Sequence, residues 1–293
     1  MKLAWIAGLL LLVQPFTIPD SLSVTQQGQT IATISRPDVL IPLPGTPVIH
    51  TEKFNQFIEK LDQQIYQAPV NATINQQGEI LPGRIGYKLD RQTFSKQFIT
   101  YLFGKGPSKI EVPKLIVYPK VDSELLADIR TQKIGNYVTY FNATNKERSH
   151  NISLAAKSIN NHVVFPGETF SFNEVVGKRT AEKGYMRAPV IIRGELSEGL
   201  GGGICQVSST LFNAVNNARM HIVERYSHSR TVPYVPPGRD AAVSWYGPDF
   251  RFKNKYNQPI LIQAKTYGGS ISIIISSSDV VNYEFQKQSY LFY

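Results

Sequence analysis

Gly199-Leu200-Gly201-Gly202-Gly203-Ile204-Cys205-Gln206-Val207-Ser208-Ser209-Thr210-Leu211-Phe212 is the stretch on which the reading of this chain turns. Glycine crowds its first half and an apolar period fills its second. Val207, Leu211, Ala214, Val215 and Ala218 fall at spacings of four, three, one and three, which predicts a helix with one buried face. The glycines let the backbone approach a ligand closely and turn N–H groups toward it. A helix start adds about half a positive charge. Cys205 therefore stands where a thiolate is favoured, with a pKa that can fall well below about 8.5. The N–H groups of Gly202, Gly203 and the helix start could serve as an oxyanion hole. The glycine turn could equally bind an anion with no catalysis.

A cysteine nucleophile needs a base, and the histidines available are His50, His150, His162, His221 and His228. His228 follows a predicted strand, Ile222–Tyr226, and Asp240 precedes another, Ala241–Trp245. Cysteine on a helix start, then histidine, then acid, can build a thiolate, a general base and a group that fixes the imidazole tautomer. The order resembles that of the papain-like and transglutaminase-like folds. Other readings stand beside it. A free cysteine is often just a small buried residue. His221 rivals His228, Glu182 and Glu224 rival Asp240, and Asp240 could simply close the turn Pro236–Asp240. Gly201, Gly202, Gly203, Gln206, Ser208 and Ser209 are candidate binding residues. A metal set of Cys205, His221 and His228 matches no standard zinc spacing, so neither metal nor cofactor is expected.

Working outward, the chain reads as α+β in two modules. The first spans 45–130. Phe54, Ile58, Leu61 and Ile65 predict a helix over Thr51–Tyr66 capped by Thr51. Asn75-Gln76-Gln77-Gly78 predicts a hairpin turn. Asp90 caps a second helix that Gly104 ends. Ile110–Val117 reads as an edge strand because of Pro113, and a short helix is expected over Asp122–Ile129. Gln26–Pro47 reads as a linker or edge strand. The second module spans 135–276, with a mainly antiparallel sheet around the central helix. Its last hairpin, Pro259–Tyr267 and Ser270–Ser276, turns at Gly268-Gly269. Residues 277–293 are a tail.

The 293 residues are 42% hydrophobic and 18% charged, which excludes wholesale disorder. Only the N-terminal run Leu3–Val13 approaches membrane length, which excludes a polytopic membrane protein. With Met1-Lys2 before it and Gln14-Pro15 after, that run reads as a secretory signal within 1–25, an uncleaved anchor touching the membrane surface, or a buried helix. Export is the expectation. One cysteine means no intrachain disulfide, and a lone thiol in an oxidising compartment draws notice. The net charge of +9 favours anionic partners or serves solubility alone. No zinc-finger spacing, helix-turn-helix or Lys/Arg tract points to nucleic acid.

Four further stretches complete the picture: Phe165-Pro-Gly-Glu-Thr-Phe-Ser-Phe-Asn173, Gly184-Tyr-Met-Arg-Ala-Pro-Val190, Glu224-Arg-Tyr-Ser-His-Ser229 and Tyr234-Val-Pro-Pro-Gly-Arg-Asp-Ala-Ala242. With the glycine-cysteine stretch, they resemble the VanW family over roughly Gly135–Ser276. The preceding module is more loosely similar to the peptidoglycan-binding domain often found ahead of it. The resemblance implies a bacterial cell-envelope setting and makes Cys205, His228 and Asp240 motif members, without supplying a reaction. Two functions are then in view. One is a Cys-His-Asp thiol hydrolase or transpeptidase acting on stem-peptide amides of peptidoglycan. The other is a non-catalytic protein that binds peptidoglycan or an anionic wall polymer.

Overall fold

The computed structural model describes residues 20–41, 48–104, 106, 108–192 and 195–282. The apolar segment read as a signal or anchor lies outside these residues, as does most of the predicted tail. The described chain is α+β and divides into two compact units. One holds the residues up to Val70 plus Arg84–Pro119, and the other holds Asn71–Gly83 plus the chain from Lys120. These bounds differ from the expected 45–130 and 135–276.

In the first unit, β1 (Ser21–Gln26) and β2 (Gln29–Ser35) form an antiparallel hairpin. Its turn residues Gln27 and Gly28 have φ of 51° and 79°, the positive values a two-residue hairpin turn needs. Of the two readings of Gln26–Pro47, linker or edge strand, the second holds for β2, which lies at the edge of the sheet β2-β1-β8. The apolar signal sits upstream of that stretch, in Leu22 and Val24, both fully buried. α1 (Arg36–Val39), β3 (Leu40–Ile41) and β4 (Val48–Ile49) follow, β3 pairing with β4. α2 (Thr51–Ile65) buries Ile58, Leu61 and Ile65 on one face, as its spacing predicts. Its cap is His50 rather than Thr51, because the imidazole Nδ1 accepts the Lys53 N–H.

The next strands, β5 (Thr73–Ile74) and β6 (Ile80–Leu81), belong to the second unit. The first unit resumes with β7 (Gly86–Leu89), α3 (Arg91–Phe103), β8 (Ser108–Glu111) and β9 (Lys114–Val117). Asp90 caps α3 as expected, accepting the Thr93 N–H at 3.0 Å. The single strand expected over Ile110–Val117 is two strands in different sheets. β8 runs parallel to β1, and β9 runs antiparallel to β7. Pro113 stands at the break and has no N–H to give either ladder. Leu22, Val24, Leu61, Phe94 and Phe98 form the core, with Phe54 stacked on Phe98 at 4.7 Å between ring centroids.

In the second unit, β5 and β6 form the predicted hairpin. It packs with α4 (Ser123–Ile129) in a small apolar cluster that includes Ala72, Ile74, Leu126, Ile129 and Leu261. The chain continues through β10 (Gln132–Tyr140), α5 (Lys146–Ile159), β11 (His162–Val164), β12 (Thr169–Ser171) and α6 (Phe172–Val176). The hairpin β13 (Arg187–Ile192) and β14 (Glu195–Leu200) leads into α7 (Ile204–Asn217). β15 (His221–Glu224), β16 (Arg251–Lys253), β17 (Ile260–Tyr267) and β18 (Ser270–Ser277) complete the described elements.

The main sheet is antiparallel in the order β10-β18-β17-β11, and a smaller one runs β12-β16-β15. Gly268 and Gly269, at φ of 54° and 81°, make the predicted turn between β17 and β18. α7 packs across β10 and β18 and against α5. It meets a face of Ile271, Ile273 and Ile275, all fully buried. Val207, Leu211, Ala214, Val215 and Ala218 are fully buried, as the helical period requires. Two strand expectations are corrected. Ile222–Tyr226 shifts to His221–Glu224, and Ala241–Trp245 is not a strand. The second segment is held by side chains of α7 instead of a ladder, as described next.

Candidate active site

α7 opens from an N-cap glycine, Gly203, in the left-handed region at φ 107°. A Cβ on Gly203 would lie 2.8 Å from Ile152 Cγ1 and 3.1 Å from Arg148 Cγ. A Cβ on Gly201, also left-handed at φ 84°, would lie 2.7 Å from Ile204 Cδ1 and 3.2 Å from Arg179 Cγ. The turn is therefore glycine for two reasons. Its backbone angles exclude most side chains, and two arginine stems lie against it. Part of its hydrogen bonding is internal: Ile204 N–H donates to Gly201 O and Gln206 N–H to Gly203 O.

Along α7, every residue from Ile204 to Val215 is buried except Cys205, which is half-buried. Its sulfur sits against Val243 O at 3.4 Å and opens on a cavity of ≈ 580 Å³. His228 lines the same cavity. The order expected from sequence is realised in space, but His228 and Asp240 both stand on loops rather than strands. His228 Nδ1 and Asp240 Oδ2 are 2.6 Å apart, and the same oxygen accepts the His228 backbone N–H at 2.6 Å. One carboxylate oxygen thus fixes both the main chain and the ring of the histidine. With Nδ1 so engaged, Nε2 is the nitrogen left for the sulfur.

The charges follow from these contacts. Burial alone would push the Cys205 thiol up. The hydrogen bond and charge of His228, the Val243 backbone and the Arg179 charge outweigh it and bring the thiol below its ordinary range. Burial would lower the His228 imidazole, but Cys205 and Asp240 together hold it above its usual value. Asp240 is likewise pressed upward by burial and brought below the usual carboxylate range by the two His228 hydrogen bonds. The directions favour the charged form of each group: a thiolate, an imidazolium and a carboxylate.

The polar residues of α7 position this arrangement. Ser208 Oγ donates to Ala241 O at 2.5 Å, and Ser209 Oγ accepts the Ala241 N–H at 2.9 Å. Asn213 Nδ2 donates to Arg239 O at 2.7 Å. Arg225 Nη1 donates to the carbonyls of Gly238 and Asp240, each at 2.8 Å. These bonds hold the segment that carries Asp240 and Val243. Gln206 acts on the other side: its Nε2 donates to Thr139 Oγ1 and Tyr140 O, and its Oε1 accepts from Arg148 Nη2 at 2.9 Å.

Of the candidate binding residues, Gly201, Gly203 and Gln206 line the cavity. Gly202, Ser208 and Ser209 are buried behind the cavity lining; a Cβ on Gly202 would lie 2.6 Å from Ala188 O. His221 is exposed and pairs with Lys253 in the β15–β16 ladder. Glu182 is exposed, and Glu224 Oε1 faces the Asp249 N–H at 3.4 Å. Among the described residues, no group of three or more His, Cys, Asp or Glu side chains could hold a metal.

The sequence reading missed Arg148, Lys178, Arg179, Tyr234, Trp245 and Tyr246, which also line the cavity. Burial holds the Tyr234 phenol far above its ordinary value, with the Cys205 charge adding to the shift, so it stays protonated. Burial lowers Arg148 and Arg179. Arg148 carries the one available local signal. It is the third residue of α5, where its N–H is taken by the capping Asn145 side chain at 3.0 Å. That fixes its stem beside Gly203.

Comparison with known proteins bears on the same region. The family model described as VanW like protein matches residues 147–276. The chain is 66% identical over 282 residues to uncharacterized protein YoaR of Bacillus subtilis, a match spanning 96% of this chain and 93% of that protein. It is 34% identical over 94 residues to vancomycin B-type resistance protein VanW of Enterococcus faecalis, across 32% of this chain and 34% of that protein. No solved structure matches. No helix among the described residues is long and apolar enough to cross a membrane.

Proposed function

Since the chain belongs to the VanW-like family, we propose that it is a cell-envelope thiol acyltransferase acting on stem-peptide amide bonds of peptidoglycan. The observation that carries this reading is the line Cys205–His228–Asp240. A half-buried cysteine, depressed in pKa, meets an imidazole held by a carboxylate at 2.6 Å, at the wall of a ligand-sized cavity.

In the proposed cycle, the Cys205 thiolate attacks the amide carbonyl and a carbon–sulfur bond forms. The glycine turn, the α7 N-terminus and the neutral Tyr234 phenol stabilise the oxyanion. As the carbon–nitrogen bond breaks, the His228 imidazolium gives its proton to the leaving amine. A thioester on Cys205 and a neutral imidazole remain. Water or a second amine then attacks the thioester and yields its proton to His228, which releases the acid or a new amide and restores the ion pair. Water makes the protein a hydrolase, and an amine makes it a transpeptidase. Asp240 holds the imidazole tautomer throughout and stays ionised. Export and wall association are part of the same proposal, supported by the N-terminal apolar run and the surplus of positive charge.

The experiment is to incubate the full chain with stem peptides and follow the protein by intact mass. An acyl adduct that maps to Cys205, and is absent from a folded Cys205→Ala variant, is the expected result. Turnover that persists in folded Cys205→Ala would overturn the nucleophile. The wall-binding reading keeps one specific support, the exposed Tyr246 and the half-exposed Trp245 at the cavity. Retention on wall material with no adduct would favour it.

A further inference from the structure

We infer that the cavity beside Cys205 is built for a free carboxylate, so that the peptide it takes carries an ionised carboxyl group within a residue or two of the scissile amide. The inference rests on the acyl-transfer reading for the ligand's being a peptide, and on the cavity alone for its charge.

Three permanently charged side chains, Arg148, Lys178 and Arg179, line this space, and no Asp or Glu does among the described residues. The walls are otherwise largely apolar and aromatic, as Pro189, Val190, Ile204 and Trp245 illustrate. Such cations repel one another, and Arg148 and Arg179 have also lost hydration, which costs free energy unless an anion compensates. The three cations differ in what they offer. Arg179 has Nη1 and Nη2 buried with no hydrogen-bond partner among the described residues. Its guanidinium lies 5.8 Å from the Phe172 ring centroid. The acidic groups whose charge it feels are Tyr185, Cys205 and Asp249, and Asp249 is already taken by Ser171 Oγ and the N–H groups of Asn173 and Phe250. Arg179 therefore brings to the cavity a buried positive charge with no hydrogen bond from its Nη atoms among the described residues.

Arg148 commits Nη2 to Gln206 and lines the cavity. Lys178 is exposed and lies over the Tyr246 ring at 5.3 Å. These two can meet an entering anion directly. A carboxylate suits an arginine fork and an ammonium. The Cys205 thiolate offsets part of this charge, since it acts on both Arg148 and Arg179, but one anion shared with His228 leaves three basic side chains in excess.

The glycine turn serves the same end. Gly201 and Gly203 let the Arg179 and Arg148 stems lie close on either side of the residue that precedes Cys205. A ligand drawn to these cations is brought beside the sulfur. A carboxylate held there leaves a neighbouring carbonyl within reach of attack. A neutral peptide of the same shape lacks that anchor.

The test uses the full chain and a stem tetrapeptide with its carboxylates free, beside analogues with the C-terminal carboxylate, the side-chain carboxylates or all of them converted to amides. Affinity is measured by calorimetry on folded Cys205→Ala, and acylation of Cys205 in the native chain is timed by mass. The free peptide is expected to bind about 10- to 100-fold more tightly than the full amide, the worth of a charge-assisted contact. That preference should shrink about tenfold in Arg148→Gln and by less in Lys178→Gln, whose exposed position leaves the fold intact if Arg148→Gln melts. Equal affinity for the free and amidated peptides overturns the inference. So does an absence of peptide binding, or tighter binding of a glycerol phosphate oligomer than of the free peptide. The two readings separate cleanly. Carboxylate-dependent binding without any adduct on Cys205 keeps the carboxylate pocket and removes the acyl transfer. Equal acylation by free and amidated peptides does the reverse.

Discussion

α2 and α7 are helices of similar length that use their polar residues in opposite ways. α2 buries Ile58, Leu61 and Ile65 and turns its Lys, Glu and Gln residues outward, where Glu59 meets Arg91 and Gln64 donates to Ile31 O at the surface. α7 is buried on nearly all sides, and Gln206, Ser208, Ser209, Thr210 and Asn213 are each at most 1% exposed. Their hydrogen bonds go to backbone and side chains brought from β10, α5 and the 239–241 segment. A helix of the first kind contributes stability through one apolar face. A helix of the second kind fixes loops that no ladder holds, and here those loops carry His228 and Asp240. Buried polar groups cost free energy unless every partner is in place, so the second kind should respond far more sharply to mutation.

The largest contrast is chemical. Cys205→Ala should reduce acyl transfer to background, and His228→Ala should reduce it about 10²- to 10⁴-fold, both in chains whose thermal melting stays cooperative. The pH dependence sharpens the point. The ion pair exists above the lowered thiol pKa and below the raised imidazole pKa. Activity should therefore rise with pH through the first and fall through the second. Alkylation of Cys205 by iodoacetamide should follow only the first of these, with a midpoint below that of a free thiol. Since His228 is the main cause of that depression, His228→Ala should move the midpoint upward; an unchanged midpoint would break the assignment.

Structural effects come next. Gly203→Ala places a methyl group 2.8 Å from Ile152 Cγ1 at a φ of 107° and should cost about 1–3 kcal/mol, read as a lower denaturant midpoint. Asn213→Ala frees the Arg239 carbonyl, and Ser209→Ala frees the Ala241 N–H. Each should cost about 1–3 kcal/mol and slow the reaction by loosening Asp240. At the small end, Lys60→Ala and Gln63→Ala on the exposed face of α2 should stay within about 0.5 kcal/mol of the parent and leave activity alone. If α2 and α7 tolerate polar-to-alanine changes equally, the contrast between them fails.

What the sequence disclosed follows the same division. Apolar period revealed the buried faces of α2 and α7, and turn chemistry revealed the hairpins at Asn75–Gly78 and Gly268-Gly269. Cys205, His228 and Asp240 were legible as chemistry on a chain order. The loops beneath the last two were not, because Ala241–Trp245 reads as a short apolar strand while its partners are Ser208 and Ser209, more than thirty residues upstream. Nothing local distinguishes a serine that grips a distant backbone from one that faces water. Arg148 and Arg179 were hidden for a related reason. Each is an isolated arginine whose significance comes only from the turn its stem lies against. The β1–β2 hairpin was missed because the apolar half of the pair precedes the stretch read as linker or edge strand.

The excursion of Asn71–Gly83 into the second unit has a temporal consequence. These residues leave the ribosome well before Leu126, Ile129 and Leu261, the side chains that Ala72 and Ile74 cover. The short hairpin can be covered in part once α4 has been made, but its cluster closes only with β17, which carries Leu261. Such long-range closure is slow and leaves apolar surface open to other chains in the interval. A fragment begun at Lys120 would lack the hairpin permanently, and should be more prone to self-association than the intact protein.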